Sequence, residues 1–454
     1  MYKGAISAGD PQTAAAGAQM LEQGGNAVDA AVAAAFASFV AEATLVNISG
    51  GGMALVVDSH SDRDFAFDFF SDMPSGILSP DADFRHVMVD FGPEQQAFHI
   101  GRASVAVPGV VAGLCRMAEE YGTLPLPMLL EPAIRLADEG AILTEAQSYP
   151  YTILQPIFQA TPGIAAAYVP GGRMYQPGER MVFPDLARTL AQLAQAGPDY
   201  YYRGALAQAI VADQEAHGGL LTAADLANYE VRQLPPISIE YRGHTVMLPP
   251  PSSSGGVLVA FALKLLAVLE IEKEAHNDAR HLRMLSEIMR LTNVARADWD
   301  AYAGPAAARI AWFLDDAHVD VYRRQLGQIL QGASPPAEPD FAPGPNDTTH
   351  ISVVDGSGLL VSVTTSAGEN AGYVVGDTGV CLNNMLGEAD LHPQGFHRWP
   401  AGARLHTMMT PAVVVKDEQP VLAVGSGGSN RIRSAILQVL SNVIDFNLPL
   451  DLAV

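Results

Sequence analysis

Periodic apolar positions divide this chain into a helix-rich first part and a strand-rich second part. Asp10-Pro11 sets an N-cap acid before a proline at the first helical position, and the following run to about Gln23 stops at Gly24-Gly25, which predicts a helix. A second helix starts near Asn26 and carries Val28, Ala31, Val32 and Ala35, small residues that permit close packing. After Gly50-Gly51-Gly52, which implies a tight backbone approach, apolar runs at 54–57 and 65–69 predict strands. A short strand is predicted at 104–107 and a helix from Gly109 to about Tyr121. Further helices are predicted over 131–139, 184–196, 204–217, 256–268 and 280–302. From 335 to 347 the chain is polar, proline-rich and aperiodic, and reads as a loop. Beyond Thr348 short β runs take over at 353–354, 359–365, 379–383, 412–415 and 421–424, and a helix closes the chain over 429–446. There is no internal repeat.

Composition sharpens this picture. The 454 residues are 49% hydrophobic and 17% charged, as in a globular α/β protein of one large domain or two or three smaller ones. A net charge of −23 repels nucleic acid and anionic lipid, so neither is an expected partner. Cys115 and Cys381 are the only cysteines, which excludes a disulfide framework and a cysteine-based zinc site. Met1-Tyr2-Lys3-Gly4 does not open a leader pattern, and the apolar stretch 30–40 is too short to span a bilayer, so the expected location is cytoplasmic. The four lysines, Lys3, Lys264, Lys273 and Lys416, make neither a Ser-x-x-Lys nucleophile nor a P-loop, and Gly-x-Ser-x-Gly is absent.

The candidate chemistry lies in Asn346-Asp347-Thr348-Thr349-His350-Ile351-Ser352, where the loop meets a strand-like run. A threonine there becomes a nucleophile if the bond before it is cut. The freed α-amine, with an ordinary pKa of about 7.7–8.0, takes the hydroxyl's proton near neutral pH. Nucleophile and base then share one residue. Threonine is also an ordinary strand former, so the motif counts only together with its surroundings.

Those surroundings resemble the γ-glutamyltransferase family of N-terminal-nucleophile hydrolases. The likeness runs through 24–30, 50–52, 107–110, 250–256, Thr348-Thr349-His350, Leu382-Asn383-Asn384 and Gly425-Ser426-Gly427-Gly428-Ser429. It implies a four-layer αββα sandwich. It also implies a cut between Asp347 and Thr348, giving segments 1–347 and 348–454 that stay associated as one domain. Thr348 would attack a small amide substrate, and water or an amine would resolve the acyl-enzyme, with no metal or organic cofactor. By the same resemblance Ser366 supports the nucleophile and Gly428 and Ser429 form the oxyanion hole. Thr407 and Met408 replace a serine pair that contacts substrate. Glu388 keeps an acid near the substrate amine. Two positions depart from the pattern: Phe70 stands where an arginine pairs with the substrate carboxylate, and Gly368 where an asparagine binds the glutamyl group. Arg404 is a candidate replacement cation. His392 and His397 are expected to be structural, and His350 either tunes Thr348 or packs. The resemblance leaves a homo-oligomer open, and relatives generally continue beyond the position of Val454. The alternative reading is a catalytically silent member that binds a small molecule.

Overall fold

In the computed structural model, which describes residues 4–58, 60, 64–92, 95–338 and 348–454, two antiparallel sheets lie face to face between helices. The strands of these sheets are β1 (Gly4–Ala8), β2 (Gly51–Asp58), β3 (Asp64–Phe69), β4 (Arg232–Leu234), β5 (Ile237–Tyr241), β6 (His244–Leu248), β7 (Thr349–Asp355), β8 (Leu359–Ser366), β9 (Ala412–Lys416) and β10 (Gln419–Val424). One sheet runs β1-β7-β8-β2-β3-β4 and the other β10-β9-β6-β5.

The layering follows from the two-residue period of a strand, which sends alternate side chains to opposite faces. Leu55, Val57, Ala66 and Leu360 of the larger sheet meet Met247, Val413 and Val415 of the smaller one in a single cluster between the sheets. Their neighbours Ala54, Val56, Phe67, Val361 and Val363 point the other way, into a core shared with the first helices. Val246, Leu248 and Val414 point outward into a core shared with Ser254–Leu266, Ala279–Ala301 and Ile432–Ile444. Each such buried Val or Leu contributes about 1.5–3 kcal/mol. The result is the αββα sandwich.

Two helices brace the larger sheet. Helix α1 (Pro11–Glu22) starts at Asp10, whose side chain accepts from Gln12 N–H. Helix α2 (Ala27–Ala41) opens with a capping box between Asn26 and Asp29, and every one of its residues is buried. Its alanine-rich sequence lets both the sheet and neighbouring helices approach closely. The three glycines before β2 do the same for backbone: a Cβ on Gly50 would sit 2.3 Å from the Ser366 carbonyl oxygen, and one on Gly52 2.6 Å from that of Thr364.

Two expected strands are absent. Around 104–107 the chain forms a 3-10 turn, Arg102–Ser104, and a single bridge from Val107 to Asp72. The Asn383 side chain takes both the N–H and the C=O of Ala106, which leaves nothing for a ladder. The 379–383 run likewise contributes only a bridge between Val374 and Cys381. Conversely, β1, β4, β5, β6, the ribbon Arg85–Asp90 with Gln95–Ile100, and the helix Asp316–Leu330 were not anticipated. The helix expected at 131–139 begins earlier, as Leu126–Glu139. Among the described residues no helix is long and apolar enough to cross a membrane.

Candidate active site

Thr348 stands immediately before β7, at the end of the ladder in which Thr349 opposes Thr365. Ser366, the last residue of β8, therefore comes to the same end. Beyond β10 the segment Gly425-Ser426-Gly427-Gly428 turns beneath Thr348 and enters the helix Ile432–Ile444 through a 3-10 turn at Ser429–Arg431. A Cβ on Gly427 would lie 2.6 Å from the Thr348 carbonyl oxygen and 3.2 Å from its Cβ, so only glycine allows this approach. Gly428 has φ +114°, and neither its N–H nor that of Ser429 has a partner among the described residues. Two backbone donors at the start of a helix, beside a hydroxyl, suit a developing oxyanion.

These residues share one small cavity of about 30 Å³. It is lined by Thr348, Ser366 and Ser429 together with Phe70, Gly368, Glu388, Thr407 and Met408. Apart from Arg404 and His350, the side-chain positions expected from sequence thus meet at one place, with Gly428 in the adjoining turn. Asp347 lies outside the described residues, so the expected cut is flanked on one side only.

The local supports differ from residue to residue. Ser366 Oγ accepts from Gly368 N–H at 3.0 Å. Ser429 Oγ donates to Asp390 at 2.6 Å. Thr407 is held against the loop before Ser254–Leu266: its N–H donates to Ser252 C=O at 3.1 Å and its C=O accepts from Ser254 N–H at 2.9 Å. Its hydroxyl accepts from Met409 N–H at 3.1 Å. Phe70 is buried in a cluster with Met53, Met385, Leu386, Leu391 and Met409, so this wall of the cavity is apolar. Gly368 has φ +65°, and a Cβ there would come within 2.2 Å of Asn384 Oδ1 and 2.7 Å of Glu388 Oε1. The Glu388 carboxylate occupies the space that a larger residue at 368 would need.

Arg404 does not replace the missing arginine. Its guanidinium bonds Asp68 Oδ1 at 2.6 Å, Asp72 Oδ1 at 2.5 Å and the Glu230 carbonyl at 2.8 Å. Buried and fully engaged, it ties β3 to the following loop. His350 packs rather than tunes: Nδ1 pairs with Thr364 Oγ1 at 2.9 Å and Nε2 with Ser352 Oγ at 2.8 Å. Burial pushes its pKa down to about 3, so the ring is neutral at working pH. The Nε2 atoms of His392 and His397 bond the Met385 and Ala103 carbonyls at 3.0 and 2.9 Å, as structural histidines do.

Sequence reasoning missed two acids. Asp390 holds Ser429, but nothing in its loop setting marks it. Glu42, at the C-cap of α2, is fully buried, accepting from Thr13 Oγ1 at 2.7 Å and from Thr349 Oγ1 at 2.5 Å. Burial pushes its carboxyl up to about 7, against the pull of the two hydroxyls, and Asp10 adds to the rise. An acid ending an otherwise apolar run was the available signal.

A γ-glutamyltranspeptidase family model matches residues 13–454. The chain belongs to the γ-glutamyltranspeptidase family. It is 35% identical to the acylase ACY 1 proenzyme of Pseudomonas sp. strain SE83, over 100% of this chain and 81% of that one. It is 31% identical to the glutathione hydrolase proenzyme of Escherichia coli K12, over 98% and 79%. Among solved structures it resembles the cephalosporin acylase from Bacillus halodurans, with a TM-score of 0.81, 27% identity, and coverage of 98% and 81%. It also resembles the Helicobacter pylori γ-glutamyltranspeptidase, with a TM-score of 0.61, 27% identity, and coverage of 73% and 92%. As a γ-glutamyltranspeptidase family member it is a hydrolase or transferase of the N-terminal-nucleophile type.

Proposed function

We propose that Thr348 is the nucleophile of a self-processing amide hydrolase or acyltransferase. Its hydroxyl attacks the carbonyl of Asp347 and expels its own nitrogen. Water then hydrolyses the ester, leaving a carboxylate on Asp347 and a free amine on Thr348. The same hydroxyl, its proton taken by that amine, next attacks a substrate amide. The amine half leaves with a proton, and water or a second amine releases the acyl group. The observation that carries this reading is the meeting of Thr348, Ser366 and the Gly427–Ser429 turn at one cavity. Relatives described as proenzymes support the cut.

The acyl group is a small one. The wall at Phe70 offers it no cation, and Gly368 offers no side chain, so the donor need not carry the α-amino acid head of a γ-glutamyl compound. That matches a family in which acylases and glutathione hydrolases share one fold. Intact mass and N-terminal sequencing test the proposal. A fragment beginning Thr348-Thr349-His350 is expected. An uncut chain that turns over amides overturns the mechanism, and an uncut chain that only binds them favours the silent alternative.

A further inference from the structure

Beside the Thr348 cavity lies a second, larger one of about 480 Å³. The two share Asp390, Leu391, Thr407 and Met408 along one rim, so the larger space adjoins the one at Thr348. This outer cavity is lined by three arginines, Arg296, Arg309 and Arg398, in a chain whose net charge is −23. Two aspartates face them. Asp300 lies 3.6 Å from Arg296, and Asp390 is already held by Ser429. Among the described residues no carboxylate lies within 4 Å of Arg309 or Arg398.

Arg309 is the most telling of the three. Its guanidinium lies over the Trp299 ring at 4.1 Å, which fixes its plane, while its Nε is buried with no hydrogen-bond partner. An unpaired buried donor is costly unless something supplies the acceptor. An arginine fork pre-set on an aromatic face matches a planar carboxylate. His406, edge-on to Trp399 at 4.8 Å, lines the same space. Burial and the neighbouring Arg309 hold it below its ordinary pKa.

We infer that this outer cavity binds the carboxylate of the amine half, the leaving group or acceptor, while the small inner cavity takes the acyl half. Volume sets the assignment: about 30 Å³ inside and about 480 Å³ outside. The inference rests on Thr348 being the nucleophile.

Its test reads binding without turnover, so its failure is distinct from a failure of the chemistry. Full-length protein is titrated calorimetrically with 3-aminobenzoate and with neutral 3-aminobenzamide. The carboxylate is expected to bind at least tenfold tighter, and Arg309→Met is expected to bring the two within about threefold. Arg398→Met, at an exposed position, carries the same test should Arg309→Met fail to fold, with a preference reduced at least threefold. Equal affinities, no binding of either compound at millimolar concentration, or a preference that survives the substitution overturns the inference.

Discussion

Two walls of the Thr348 cavity are made from different material. One consists of backbone and short hydroxyls: Thr348, Ser366, and the Gly427–Ser429 turn. The other consists of long side chains: Phe70, Met408 and Glu388, with Gly368 between them. On the first wall, positions are set by strand register and by close backbone approach, so a change of one atom is felt at Thr348. On the second, side chains can be exchanged while the strands behind them stay put. If Thr348 is the nucleophile as proposed, catalytic geometry and substrate choice sit on supports of unequal tolerance, in keeping with relatives described as glutathione hydrolases and acylases.

The largest break in this comparison is expected from Thr348→Ala. Turnover should fall by about 10⁴-fold or more, and the chain should stay uncut by mass. Gly427→Ala attacks the same wall without touching a functional side chain. Because its methyl group would fall 2.6 Å from the Thr348 carbonyl oxygen, kcat should drop by about 10²-fold. Gly327→Ala, in a helix with open space around it, is the control and should leave the rate unchanged.

Glu42 sharpens the comparison through pH. Its carboxyl is raised in the folded state from the ordinary 4.5 to about 7. Between those values the folded state holds a proton that the unfolded state has lost. The contribution of Glu42 to stability is therefore fully present below pH 4.5 and is lost as pH rises to 7, by roughly 3 kcal/mol. Urea midpoints across that range should show the slope, and Glu42→Gln should flatten it. The smallest effect is expected on the tolerant wall. Gly368→Asn should cost about 1–3 kcal/mol by overpacking against Asn384 and Glu388. It should give no gain in γ-glutamyl turnover, read from melting temperature and from rates on a γ-glutamyl anilide.

Much of the fold was legible where local signals and tertiary structure agree. Asp10-Pro11, the helix start near Asn26, and the apolar runs of β2 and β8 each lie where their patterns predict. Legibility failed where side chains from far away intervene. Ala106 looks like strand, but Asn383, distant in sequence, takes its hydrogen bonds. The short strands from Arg232 to Leu248 escaped notice because their alternation is interrupted by Pro235, Pro236 and the Arg242-Gly243 turn. At the site, the residues that carry a motif were visible. Asp390 and the three outer arginines were not, since only the folded chain brings them to the cavities, and Glu42 was not, since only the fold sets it against Thr349.

The sheet order has a consequence for the life of the molecule. β7 and β8 stand between β1 and β2, and β9 and β10 complete the sheet begun by β5 and β6. A nick before Thr348 would thus divide the chain into pieces that each own part of both sheets: the second piece would hold the central pair β7-β8 of one and the adjacent pair β10-β9 of the other. Without the second piece, β1 and β2 would face each other across a gap of about 14 Å, three strand spacings. A cut there would therefore leave each piece short of strands that both sheets need, which ties the two pieces to one another.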